Sequence, residues 1–194
     1  VGESAFDGYD GLTQVTLPAG VEVIGPNAFY ECDGLVEATI PAGVEIIGPS
    51  AFYGCGGLVD VAIPASVTNI GEHAFAVCSR LMSISVAAGN TVYSSRNGLL
   101  LTKDGTTLLQ GVNGDVVIPD GVTSIGDSVF RGCSGLTSVT IPGSVTDIGW
   151  GAFAGCSGLT NVTIPDSVTD IAESAFTDCS GLTNITLDWM NPCY

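Results

Sequence analysis

Apolar residues recur along this chain in two short phrases within every 23 residues. In LTSVTIPGSVTDIGWGAFAGCSG (136–158), Leu136, Val139 and Ile141 form the first phrase, and Val145 and Ile148 form the second. The first phrase predicts a strand that turns these three side chains inward and Thr137, Ser138 and Thr140 outward. Pro142 ends it, because proline has no N–H to donate. Val145 and Ile148 supply an apolar pair on the return side, and Gly149 permits a tight bend. Ala152, Phe153 and Cys156 then point inward at i, i+1 and i+4, which predicts one short helical turn.

The phrases repeat in register. Phe6, Phe29, Phe52 and Phe75 are 23 apart, and so are Phe130, Phe153 and Phe176. A cysteine follows three residues later at Cys32, Cys55, Cys78, Cys133, Cys156 and Cys179, with Tyr9 in the first unit. No unit can shield its inward residues alone, so units must stack, Phe on Phe and Leu on Leu. The predicted fold is a repeat solenoid, mostly β with short helical turns and a parallel β-sheet on one face. Coils about 4.8 Å apart make a rod of roughly 40 Å.

Regular 23-residue units cover 1–86 and 118–187. Between them lies an irregular unit, 87–117, rich in leucine where a linker would be polar. It reads as a hairpin with strands near Leu99–Thr102 and Thr106–Leu109, turned at Asp104-Gly105. The whole of 1–194 is therefore expected to be one domain, with 188–194 the start of a cap or linker. The opening VGESAF corresponds to the middle of a unit (compare IAESAF at 171–176), which predicts a piece of something longer or a processed product.

Charge adds a second pattern. The net charge is −16, yet residues 80–131 hold all four basic side chains, Arg80, Arg96, Lys103 and Arg131, against four acidic ones. An acidic surface repels phosphate backbones, which speaks against nucleic-acid binding. The charge serves solubility, or it makes the irregular unit a neutral or basic landmark on an acidic rod. No run of about 18 apolar residues exists to span a membrane.

Chemistry is sparse. Cysteines 23 apart, without a C-x-x-C spacing, fit buried thiols in a ladder better than zinc or disulfides. The lone histidine, His73, sits at a turn position held elsewhere by Ser, Asn or Gly, and no nucleophile pairs with it. Acidic turns at Asp7, Asp10, Glu31 and Asp33 lack a D-x-D-x-D-G calcium loop. No catalytic residue, metal or cofactor is expected.

The phrase LTxVTIPxSVTxIGxxAFxxCxG resembles the BspA-type leucine-rich repeats of bacterial and protist surface proteins. The resemblance covers 1–187 with the irregular unit included. It implies a right-handed leucine-rich repeat superhelix and an extracellular or cell-surface module that binds other proteins, often in adhesion. Expected partners are a protein or glycoprotein of a host or neighbouring cell. The alternative is a structural spacer or a subunit associating end to end. Candidate binding residues are Val36, Glu37, Val59, Asp60 and Met82 on the outward strand face, where the first four units are more apolar and acidic than the threonine-rich last three. Ordinary β-propensity also accounts for that face. Tyr30 and Tyr53, expected to stack, Trp150, and Arg96 and Lys103 of the hairpin complete the set.

Overall fold

The structure is a computed structural model and describes residues 1–188. Each coil contributes one strand to a main face: β1 (Gln14–Thr16), β3 (Glu37–Thr39), β5 (Asp60–Ile63), β7 (Ser83–Val86), β11 (Gly114–Val117), β13 (Leu136–Thr140), β15 (Asn161–Ile164) and β17 (Asn184–Leu187). Paired regular strands run parallel with a 23-residue register, Asp60 opposite Ser83 and Asn161 opposite Asn184. That offset sets like beside like, so Val61 meets Ile84 inside while Ala62 meets Ser85 outside. The return phrase builds ladders of its own from two-residue strands, one before the irregular unit from β2 (Val23–Ile24), β4 (Ile46–Ile47) and β6 (Asn69–Ile70), and one after it from β12 (Ser124–Ile125), β14 (Asp147–Ile148) and β16 (Asp170–Ile171). Each regular coil thus carries strands on two faces, where the sequence predicts a sheet on one.

The expected short helical turn is not a helix; the segment around Ala152–Cys156 is a run of turns. Left-handed residues break it twice per coil, at Ser50 (φ 53°) and Gly54 (φ 71°) in the third coil and at Gly151 (φ 57°) and Gly155 (φ 75°) in the seventh. A right-handed helix cannot propagate through such residues. Alternate N–H groups turn along the rod instead, as in Phe52 N–H to Ala74 O (2.8 Å) and Gly54 N–H to Ala76 O (3.0 Å). Glycine at 149 has a different reason from the one its bend suggests. A Cβ there would lie 2.7 Å from Gly126 C of the preceding coil, so close approach of backbones requires it.

One hydrophobic cluster runs from Leu17 to Ala175. Within it the phenyl rings stack at centroid distances of 4.9 to 5.5 Å with planes within 9°, the offset arrangement aromatic rings prefer. The ladder is interrupted once. Gly111 occupies the phenylalanine position of the irregular unit, its N–H bonding Val129 O (2.8 Å) as Phe52 bonds Ala74. A Cβ on Gly111 would lie 2.1 Å from the Phe130 ring. The rings therefore form two stacks, 6–29–52–75 and 130–153–176.

The irregular unit is a meander rather than a single hairpin. Strands β9 (Leu99–Thr102) and β10 (Thr107–Gln110) pair antiparallel as expected, with Gly105 at φ 76° in their turn. A further strand, β8 (Tyr93–Arg96), pairs with β9 through Asn97-Gly98, both at positive φ (54° and 76°) as a type I′ turn requires. Parallel pairing of β10 with β12 carries the meander into the second sheet. Its tip reaches the main face, where Ile84 N–H bonds Gly98 O (2.8 Å) and Asn97 Nδ2 bonds Val117 O (3.0 Å), bridging β7 and β11. On the turn side the unit is bypassed: Val77 N–H bonds Arg131 O directly (2.9 Å). Beyond β17, Asp188 N–H still bonds Ile164 O (3.1 Å); the rest of the expected cap or linker, Cys193 included, lies outside the described residues.

Candidate functional site

The main sheet places Val36, Val59 and Met82 at one position of three successive coils, each beside an outward neighbour: Glu37, Asp60 and Ser83. Val36 and Met82 are about half exposed (48% and 51%) and Val59 is half-buried. Beside them a shallow groove of about 530 Å³ is lined by Glu37, Thr39, Asp60, Ala62, Ser83 and Ser85. Gln14 Nε2 donates to Glu37 Oε2 (2.9 Å) and so presets that carboxylate. Met82 also touches the seam, its methyl 3.3 Å from where a Cβ on Gly114 would stand. Val117, 55% exposed on β11, pairs with Thr140 and so falls in the column of Ala62 and Ser85, three places along from that of Met82. The sequence reading passes over it, although its place in Gly114–Val117 alternates outward.

The threonine-rich strip of the later coils differs. Thr183 Oγ1 donates to Thr160 O (3.2 Å), Asn161 Nδ2 to Thr160 Oγ1 (3.0 Å), and Thr137 Oγ1 to Asp115 (2.7 Å). The bonds of Thr183 and Thr137 stitch strand to strand and that of Asn161 ties it to its own neighbour, which reduces what these groups offer a partner.

The other candidates fall elsewhere. Tyr30 and Tyr53 stack at 5.0 Å with planes 4° apart. Lys103 Nζ donates to Asn90 O within its own unit, and the Arg96 guanidinium covers Gly105. In the hairpin turn the carboxylate of Asp104 accepts bonds from Thr102 Oγ1, Thr106 N and Thr106 Oγ1, which hold its pKa down to about 2. Trp150 lies under Arg131, whose guanidinium carbon is 5.7 Å from the ring centre, and the backbone N–H of Trp150 donates to Asp127 Oδ1 (2.7 Å).

Trp150 also borders a cleft of about 590 Å³ at the break in the phenyl ladder, with Phe75, Leu100 and Leu109 beneath and Glu72, His73 and Asp127 around it. Sequence reasoning singles out only Trp150 here. His73 reads as turn filler, and its φ of 58° explains the Ser/Asn/His/Gly spectrum of that position. The signal that a cleft exists is the missing phenylalanine between Phe75 and Phe130.

The column cysteines are free thiols. Cys55 donates to Phe29 O (3.1 Å), Cys78 to Phe52 O (3.2 Å) and Cys156 to Phe130 O (3.1 Å), each joining its coil to an earlier one. Burial pushes the Cys55 and Cys133 thiols up to about 12. A thiol this basic is neither a nucleophile nor a ligand at neutral pH. In a Cys193→Ser variant, alkylation at pH 8 is therefore expected to spare Cys55, Cys78, Cys133 and Cys156 until denaturant is added. Unfolded thiols ionise near 8.5 and the Cys55 and Cys133 thiols of the folded chain near 12. Their contribution to stability is whole below about pH 8.5 and is lost as pH rises toward 12.

Among the described residues no helix is long and apolar enough to cross a membrane. Six copies of the BspA type leucine rich repeat region match this chain, over residues 1–97 and 113–191. The unmatched residues 98–112 hold β9 and β10, so the irregular unit is less family-like than its flanks. A solved leucine rich cell surface protein from Faecalibacterium prausnitzii is 26% identical with a TM-score of 0.65, covering 96% of this chain and 62% of that one. A leucine-rich repeat protein from Eubacterium ventriosum is 25% identical with a TM-score of 0.77, covering 96% and 57%. The pneumococcal vaccine antigen PcpA shares the fold at 23% identity and a TM-score of 0.66, covering 91% and 51%. The chain thus spans less than two thirds of each of these proteins. No curated protein matches it. Phenylalanines and cysteines at a 23-residue spacing broken once, parallel ladders on two faces and the matched residues lead to one conclusion: the chain belongs to the BspA-type leucine-rich repeat family.

Proposed function

We propose that this chain is a non-enzymatic recognition module, displayed outside the cell, that binds a protein or glycoprotein partner in adhesion. The observation that carries the reading is the main-sheet strip, in which exposed Val36 and Met82 border a groove flanked by the carboxylates of Glu37 and Asp60. Exposed apolar residues beside ordered polar ones are the makings of a protein interface. A relative that is a cell surface protein supports the location. Acidic groups at the rim favour a basic partner and a salt-sensitive association rate.

The test is binding of the purified chain to a panel of immobilised surface glycoproteins, read by biolayer interferometry. Combined Val36→Ala, Val59→Ala and Met82→Ala is expected to weaken binding at least about tenfold, as loss of a hot-spot cluster does, with the melting temperature little changed. Unaltered binding in that variant would place the partner surface elsewhere. A chain that binds nothing on the panel but lengthens end to end in sedimentation would favour the spacer role.

A further inference from the structure

The cleft beside Trp150 exists because the irregular unit brings Gly111 to the phenylalanine position, leaving Phe75 without a ring partner on that side. Its floor is apolar, formed by Phe75, Leu100 and Leu109. Its polar lining includes His73, Tyr93 and Thr102 beside the acceptors. Glu72 and Asp127 stand at the rim as carboxylates.

Deeper in, Gln110 is only 6% exposed, and its amide donates both N–H groups, to Gly111 O (3.1 Å) and Val129 O (3.0 Å). Those two carbonyls set the amide's orientation, since the flipped amide would put oxygen against oxygen. The Oε1 atom is left facing the cleft, and no hydrogen bond engages it among the described residues. That acceptor is reached by solvent, and a ligand N–H can take the place of water there.

The matching group is donor-rich, positively charged and carried on an apolar stem. A guanidinium fits best: it offers five N–H donors in a planar fork, stacks on tryptophan, and accepts an apolar bed for its methylenes. The Trp150 ring already has a guanidinium, that of Arg131, close by. The carboxylates of Glu72 and Asp127 supply the negative charge that such a group would meet. At about 590 Å³ the cleft has room for the side chain and its neighbours. We propose that this cleft receives an arginine side chain presented by an extended segment of a partner polypeptide. It shares no lining residue with the main-sheet groove, so either reading stands or falls without the other.

The probe is the peptide acetyl-Gly-Ser-Arg-Ser-Gly-amide, titrated by calorimetry with amide chemical shifts of Gly71 and Trp150 followed by NMR. Expected results are saturable binding that shifts both amides and weakens with salt, and at least about a tenfold loss when citrulline replaces arginine. Glu72→Gln combined with Asp127→Asn is expected to cost about tenfold as well. The Asp127→Asn change keeps a side-chain oxygen to accept the backbone N–H of Trp150, so the fold is retained, as circular dichroism would show. Trp150→Ala is expected to cost about fivefold. No binding at about 10 mM peptide, equal affinity for the citrulline peptide, or an uncharged oligosaccharide shifting the same amides would overturn the proposal. Agmatine binding as tightly as the peptide would overturn its polypeptide source.

Discussion

Replacing Phe52 by alanine is expected to destabilise the chain by about 5 kcal/mol, at the upper end of core phenylalanine truncations. Phe52 is fully buried and stacks on both sides, 5.1 Å from Phe29 and 5.5 Å from Phe75. Its removal forfeits the buried ring, leaves a cavity that the two fixed coils cannot close, and breaks two ring contacts. Phe6 provides the internal comparison. It is 39% exposed and stacks only on Phe29, so Phe6→Ala is expected to cost about 1–2 kcal/mol. Urea unfolding followed by circular dichroism measures both. Equal losses for the two variants would mean that stacking position within the rod does not govern stability.

The second large effect is expected from Asn90→Ala, about 4 kcal/mol, from a residue outside the apolar repeat. Asn90 is 1% exposed. Its Nδ2 donates to Pro64 O (3.0 Å) and Val67 O (2.8 Å), and its Oδ1 accepts from Val92 N (2.9 Å) and Tyr93 N (2.7 Å). This one side chain replaces the backbone bonds that a regular coil would have made at the entry to the meander. Asn113 acts alike at the exit, donating to Cys78 O and Leu81 O and accepting from Gly135 N. Asn90→Asp retains Oδ1 but sets a carboxylate oxygen against two carbonyls, so it is expected to be no milder than alanine. Melting curves of the two variants decide this. A loss under about 1 kcal/mol for Asn90→Ala would show that the meander is held by its leucines alone.

The regular coils were legible in the sequence because their inward residues are chemically distinctive and their period is constant. Phe, Cys, Leu and Pro columns fixed the register that the parallel ladders display, and Asp104-Gly105 marked a real turn. Three features were less legible. The second ladder rests on strands of only two residues, such as Asp147–Ile148, too short for any alternation to register. The absence of helix depends on left-handed residues such as Ser50, Ser128 and Ser174, where a serine carries no mark of its backbone angle. Strand β8 was announced by Asn97-Gly98, a strong turn pair that the richer leucine run beside it overshadowed. Of the candidate binding residues, the strip of Val36, Val59 and Met82 could be placed because outward positions follow from the register. The cleft could not, because Glu72, Asp127 and Gln110 are brought together only by the break in period, and spacing alone does not say which side of a coil an insertion opens.

The central claim is that coils stack in register while the phenyl ladder breaks once, at Gly111. Ring-to-ring nuclear Overhauser effects in a chain labelled only at phenylalanine test it most directly. The account predicts connected signals through Phe6, Phe29, Phe52 and Phe75, a second set through Phe130, Phe153 and Phe176, and none between Phe75 and Phe130. A cross-peak between Phe75 and Phe130, or missing contacts within either set, would contradict it.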